Sequence, residues 1–159
     1  MLYPQLLRND FGTLPGALRR FHSAPTARAS GTVCVRHSNR WLARLIGFPR
    51  AGERVAVELQ VIAQPDSELW IRQFDGAERR SLQRLHQDLL LETAGPVRIL
   101  FRVAADSSGM TLHSERARFW MLPLPLRVKA RAWGDEESWS FEVNIAGVGS
   151  YRGKMVPAA

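Results

Sequence analysis

From Glu53 onward the apolar residues fall at every second position, and that spacing leaves few folds open to the chain. Val55, Val57, Leu59 and Val61 alternate with Arg54, Ala56, Glu58 and Gln60. Val97, Ile99, Phe101 and Val103 alternate in the same way with Arg98, Leu100, Arg102 and Ala104. Successive side chains of a strand point to opposite faces, so each such segment has one face to bury. Turn residues divide the run at Pro65-Asp66, Asp75-Gly76, Ala94-Gly95-Pro96, Ser107-Ser108-Gly109, Gly134-Asp135 and Gly147-Val148-Gly149. Asp75-Gly76 is the strongest of these, a two-residue hairpin signal. The spacing predicts strands over 68–74, 77–85, 88–93, 97–104, 110–121, 127–133, 138–145 and 149–156, with Pro123 and Pro125 interrupting the pairing. Sequential hairpins form an antiparallel meander, and a long meander hides its edges by curling or closing.

The first third of the chain has a different period. Leu2, Leu6 and Leu7, then Leu14, Leu18 and Phe21, recur at helical spacing, interrupted by Asn9-Asp10-Phe11-Gly12. Two short helices are expected over 2–22, with Pro15 in the first turn of the second. Residues 25–30 read as a loop and 32–36 as a short strand. Ser38 or Asn39 caps a helix over 40–46, whose apolar side is Trp41, Leu42, Leu45 and Ile46; Gly47 and Pro49 end it. The expected fold is therefore mainly β, of the α+β class. It is an antiparallel meander over 53–156 forming a barrel or strongly curved sheet, with the short N-terminal helices packed on it or plugging one end. The whole chain, 1–159, is expected to be a single domain.

The composition fits a globular chain, with 45% hydrophobic and 23% charged residues. The net charge of +7 raises nucleic acid or an anionic membrane surface as partners. Only Lys129 and Lys154 are lysines, and the arginines are dispersed, so nucleic acid is not the expected partner. The lone cysteine, Cys34, sits in an apolar run, Val33-Cys34-Val35, and is expected to be a buried, inert thiol in a reducing compartment. No apolar run approaches the ~20 residues of a membrane span. No basic start followed by an apolar block suggests a signal peptide. The expected location is the cytoplasm of a bacterium.

No catalytic motif emerges, and no cofactor or metal site is expected. His22, His37, His86 and His113 have no metal-ligand spacing. Gly147-Val148-Gly149-Ser150 lacks the serine between glycines of a nucleophile elbow and reads as a hairpin turn. Glu136-Glu137 reads as a solvated loop.

The most informative constellation surrounds Asp75-Gly76. If those two residues form the loop, Arg72 faces Arg79, Trp70 faces Ser81, and Glu68 faces Gln83, all on one face. Three readings stand. That face is a solvated polar stripe with Leu69, Ile71 and Leu82 turned to the core, it lines an interior ligand pocket, or it holds a buried structural ion-pair network. In the second case Trp70, Arg72, Arg79, Ser81, Gln83, Glu68, Glu92 and Tyr151 are the candidate ligand-binding residues. An arginine pair beside an aromatic would suit the anionic head of a lipid-like ligand.

Ordered segments along the chain also resemble a known family. They are Leu2-Tyr3-Pro4-Gln5-Leu6-Leu7, Gly31-Thr32-Val33, Glu68-Leu69-Trp70-Ile71-Arg72-Gln73-Phe74 and Arg80-Ser81-Leu82-Gln83. Glu92-Thr93-Ala94-Gly95-Pro96 and Val148-Gly149-Ser150-Tyr151-Arg152-Gly153 complete the series. Together they resemble the bacterial domain of unknown function family 4166. The resemblance implies no activity. It implies a possible partner, since such domains look to be sometimes joined to a nucleotide-binding domain of the saccharopine reductase type.

Three functions follow as expectations. The first is a binding module for a small apolar or amphipathic molecule, lipid-like and anionic. The second is an interaction or accessory domain for a reductase-type enzyme. The third is an enzyme of unrecognised class, using His22 or Glu92 with Tyr151; the residues lean away from it.

Overall fold

The computed structural model describes residues 1–158 of the 159. Two short helices, α1 (Leu2–Leu7) and α2 (Gly16–Ser23), are joined by a 3₁₀ segment, Arg8–Thr13. After strand β1 (Thr26–His37) comes helix α3 (Arg40–Leu45). The remaining strands are β2 (Gly52–Gln64), β3 (Ser67–Phe74), β4 (Ala77–His86), β5 (Leu89–Ala94), β6 (Val97–Asp106), β7 (Gly109–Phe119), β8 (Leu122–Leu124), β9 (Val128–Gly134), β10 (Trp139–Ile145) and β11 (Gly149–Pro157).

All neighbouring strands are antiparallel, in the order β6-β5-β4-β3-β2-β1-β11-β10-β9-β7, and β6 pairs again with β7. The sheet therefore closes into a ten-stranded barrel, in which β6 and β7 pair with each other instead of standing as open edges. The short β8 hangs outside this ring, on the far part of β7. Period two is realised as expected. Val55, Val57 and Val61 are buried inside, and Glu58 between them is exposed.

Antiparallel order sorts the connections to two ends. One end carries the turns after β2, β4, β6 and β9, and α1 and α2 close it. Their Leu2, Tyr3, Leu18 and Phe21 are buried, and Phe21 meets Trp70 and Trp139 at centroid distances of 6.2 and 4.9 Å. The Ala17 amide donates to the Asp135 carbonyl at 3.1 Å. Arg20 pairs with Glu136 at 3.2 Å, so Glu136 fastens this plug to the β9–β10 turn. The other end carries α3 and the turns after β3, β5, β7 and β10.

Several expectations need correction. Residues 25–30 are not a loop. Thr26 to Ser30 open β1, with Ala27 and Ala29 buried and Arg28 and Ser30 exposed. Alanine gives a weak periodic signal, so the alternation is easily overlooked. The helix over 40–46 forms and Asn39 caps it, its Oδ1 accepting from the Trp41 and Leu42 amides at 3.1 and 3.0 Å. Its expected apolar side is split: Leu42 and Ile46 pack partly buried against the core beside buried Ala43, while Trp41 and Leu45 face solvent. Strand 110–121 ends at Phe119, because Trp120 adopts a left-handed backbone (φ 56°) and turns the chain into β8. Cys34 is half-buried, since Val33 and Val35 take the interior positions on either side of it. Among the described residues no helix is long and apolar enough to cross a membrane.

Candidate functional site: the barrel interior

The barrel is not filled. A cavity of about 490 Å³ runs from Tyr3, Phe21 and His22 on the plug toward Gly47, Arg79 and Gly95 at the opposite rim. Its walls are mostly apolar, with Ile99, Phe101, Met110, Leu112, Val128 and Phe141 among them.

One wall is polar, and the Asp75-Gly76 hairpin builds it. Asp75 and Gly76 both take positive φ, 47° and 78°, as a two-residue turn matched to strand twist requires. The register that follows is the expected one: Arg72 opposite Arg79, Trp70 opposite Ser81, Glu68 opposite Gln83. Of the three readings the solvated stripe does not hold, because this face turns inward. Trp70, Ser81 and Gln83 are buried, and Leu69, Ile71 and Leu82 are the half-buried residues of the outer face.

A continuous hydrogen-bonded chain crosses the polar wall. The Tyr3 hydroxyl donates to Gln83 Oε1 at 3.1 Å, and Gln83 Nε2 donates to Glu92 Oε2 at 3.2 Å. Glu92 Oε1 pairs with Arg72 Nη2 at 3.2 Å, and Arg72 Nη1 donates to Ser81 Oγ at 2.7 Å. The Arg72 guanidinium also lies 5.0 Å from the Trp70 ring centroid. Burial works against the Arg72 charge, but Glu92, Tyr151 and Tyr3 together more than offset it and hold the guanidinium above its ordinary value. Burial likewise pushes the Tyr3 phenol far up, with Glu92 and Glu68 adding to the effect. It raises the Tyr151 phenol as well, against the pull of Arg72.

Seven of the eight sequence-derived candidates, Trp70, Arg72, Arg79, Ser81, Gln83, Glu92 and Tyr151, border the cavity. They do so in different ways. Arg72, Ser81, Gln83 and Glu92 form the network. Tyr151 lies among Phe48, Phe74 and Phe141, at centroid distances of 5.4 to 5.9 Å. Arg79 does not converge with Arg72 to make an anion clamp. It is exposed at the rim, its Nε donating to the Gly47 carbonyl at 2.9 Å. Glu68, 2% exposed, holds the plug: its Oε1 accepts from the Leu2 amide at 2.7 Å and its Oε2 from Trp70 Nε1 at 3.4 Å.

His22 belongs to the cavity floor. Its ring lies 4.0 Å from Tyr3 and 5.8 Å from Trp70, and its Nδ1 has no hydrogen-bond partner. Burial lowers its pKa to about 3, so the ring is neutral at physiological pH. His22 packs on the plug and Tyr151 packs nearer the rim, so they form no acid–base pair. Both Glu92 oxygens are already engaged. Tyr3 is the member of the network that periodicity missed, because it falls between the helical positions Leu2 and Leu6. Among the described residues no three histidine, cysteine or acidic side chains converge as metal ligands.

The sequence model of DUF4166, described as a domain of unknown function, matches residues 14–153. The chain belongs to the DUF4166 family. No curated protein and no solved structure matches this DUF4166 chain. The matched span holds β1 to β10, the first part of β11 and all of the polar wall except Tyr3.

Proposed function

We propose that this DUF4166 barrel binds a small amphipathic molecule in its interior. One observation carries the reading: a cavity of about 490 Å³ has apolar walls and a single polar wall. Small-molecule sites occupy about 300–1,000 Å³ and use a few polar anchors in an apolar surround. The apolar body of the ligand lies against Met110, Leu112, Val128 and Phe141. Its polar end meets Arg72, Gln83 and Glu92.

The head group differs from the one the arginine pair suggested. Glu92 already neutralises Arg72, and Arg79 is at the rim, so the polar wall offers no uncompensated positive charge. A head that both donates and accepts hydrogen bonds, such as a hydroxyl, an amide or a protonated acid, suits this wall better than a free carboxylate. Mass spectrometry under native conditions, on protein purified from its own host, tests the reading. A bound small-molecule mass is expected. Protein that carries none, and that takes up no N-phenyl-1-naphthylamine when this uncharged probe is added, contradicts it.

A second reading rests on the outer face. Ile62, Leu69 and Leu82 lie side by side across β2, β3 and β4, Thr93 follows them on β5, and Leu91 and Leu100 pair two residues along from that row on β5 and β6. All five apolar residues are half-buried. This row supports an interaction domain that pairs with a reductase-type enzyme. Light scattering on Leu69→Arg and the parent, each mixed with a candidate reductase, tests it. A complex that forms only with the parent is expected, and equal behaviour of the two rejects the reading.

A further inference from the structure

Five large apolar residues stand exposed at the open end of the barrel. Trp41 (70% exposed) and Leu45 (55%) project from α3, beside β1 and β11. Trp120 (71%), Met121 (78%) and Leu122 (70%) form the β7–β8 turn, on the opposite side of the rim. The mouth of the cavity lies between these two tips. Trp120 also has a left-handed backbone, φ 56°, where a tight turn favours glycine or asparagine. A tryptophan there gains little burial and costs backbone energy, so folding does not account for it.

The charge is sorted along the barrel axis. Arg40, Arg44, Arg50, Arg118 and Arg127 are exposed around the tips. The carboxylates near this end are few and partly engaged: Asp75 accepts from the Ala56 amide, and Glu78 pairs with Arg80. The turns at the plugged end carry Asp66, Asp88, Asp106, Asp135, Glu136 and Glu137 instead. Exposed arginines also occur on the plug, at Arg8, Arg19 and Arg20, but around the open rim they outnumber the carboxylates and share that surface with the exposed tryptophans.

We propose that the open rim docks on an anionic bilayer surface, with both apolar tips entering the headgroup layer and the arginines meeting lipid phosphates. A plane touches two tips on opposite sides of a mouth at once. Tryptophan favours the membrane interface, and each arginine near an anionic surface adds to the attraction. Docked in this way, the cavity mouth faces the lipid. This inference goes beyond the cavity reading and stands on the rim alone.

The test is flotation with vesicles of phosphatidylcholine, with and without phosphatidylglycerol. The intact chain floats with the phosphatidylglycerol vesicles, and less so as salt rises. Trp41→Ser and Trp120→Asn each weaken partitioning roughly tenfold. Asparagine suits the left-handed turn, so the second variant keeps the fold, and circular dichroism on both checks this. Absence of flotation with phosphatidylglycerol vesicles, or flotation unchanged in both folded variants, overturns the proposal. Uptake of N-phenyl-1-naphthylamine is measured on the same proteins. For the intact chain, uptake without flotation overturns docking alone, and flotation without uptake overturns the cavity reading alone.

Discussion

Arg72 and Glu92 show how a barrel interior can hold charge. Their side chains are 23% and 17% exposed, and that surface faces the cavity. Removing one partner strands the other in a poor solvent, whereas removing both need not be costly. Glu92→Leu is expected to destabilise the protein by about 2–3 kcal/mol in urea unfolding, and Arg72→Met combined with Glu92→Leu to recover much of that loss. An additive double variant contradicts the pairing. His22 gives a pH prediction. Its folded pKa, about 3, lies below the ordinary histidine value of 6.5. The unfolded state therefore binds the extra proton first. The contribution of His22 to stability is fully present above pH 6.5 and is lost as pH falls toward 3, with a slope approaching about 1.4 kcal/mol per pH unit. His22→Phe is expected to remove that part of the acid limb, as followed by thermal unfolding across the same pH range. An unchanged acid limb counts against a neutral, buried imidazole.

At the scale of elements, α1 is tied to the barrel wall by a buried carboxylate. Glu68 accepts from the Leu2 amide and from Trp70, joining α1 to β3. Glu68→Ala is expected to cost about 2–4 kcal/mol and to raise hydrogen exchange in α1 before the strands. Unchanged exchange in α1 contradicts the anchoring role. Gly153 marks a close approach of β11 to β1, where a Cβ would sit 2.1 Å from the Thr32 carbonyl oxygen. The backbone cannot yield there as a flexible side chain can. The hairpin register was legible because Asp75-Gly76 admits essentially one short turn, and the pairs of the polar wall follow from it by counting. Which face is interior was not legible, because alternation separates two faces without choosing between them. Leu69, Ile71 and Leu82 look at least as apolar as Trp70, Arg72 and Ser81. The choice comes from Tyr3, Glu92 and barrel closure, which are distant in sequence. Closure itself could only be expected, since β6 and β7 are adjacent in sequence but end a sheet that must travel all the way round to meet them.

The whole molecule is a barrel with one closed end, one open end and an apolar interior bearing a single polar wall. The central claim is that this interior takes up a ligand. The claim is tested most directly by fluorescence titration of N-phenyl-1-naphthylamine, an uncharged amphipath with an N–H donor, into the parent and into Ala130→Phe. Ala130 lines the cavity on β9, opposite Leu112 in register, so the larger ring occupies the space a ligand needs. The parent is expected to bind saturably at one site, and the folded variant to lose that binding while matching or exceeding the parent in thermal stability. Equal binding by both proteins, or none by the parent, contradicts the account.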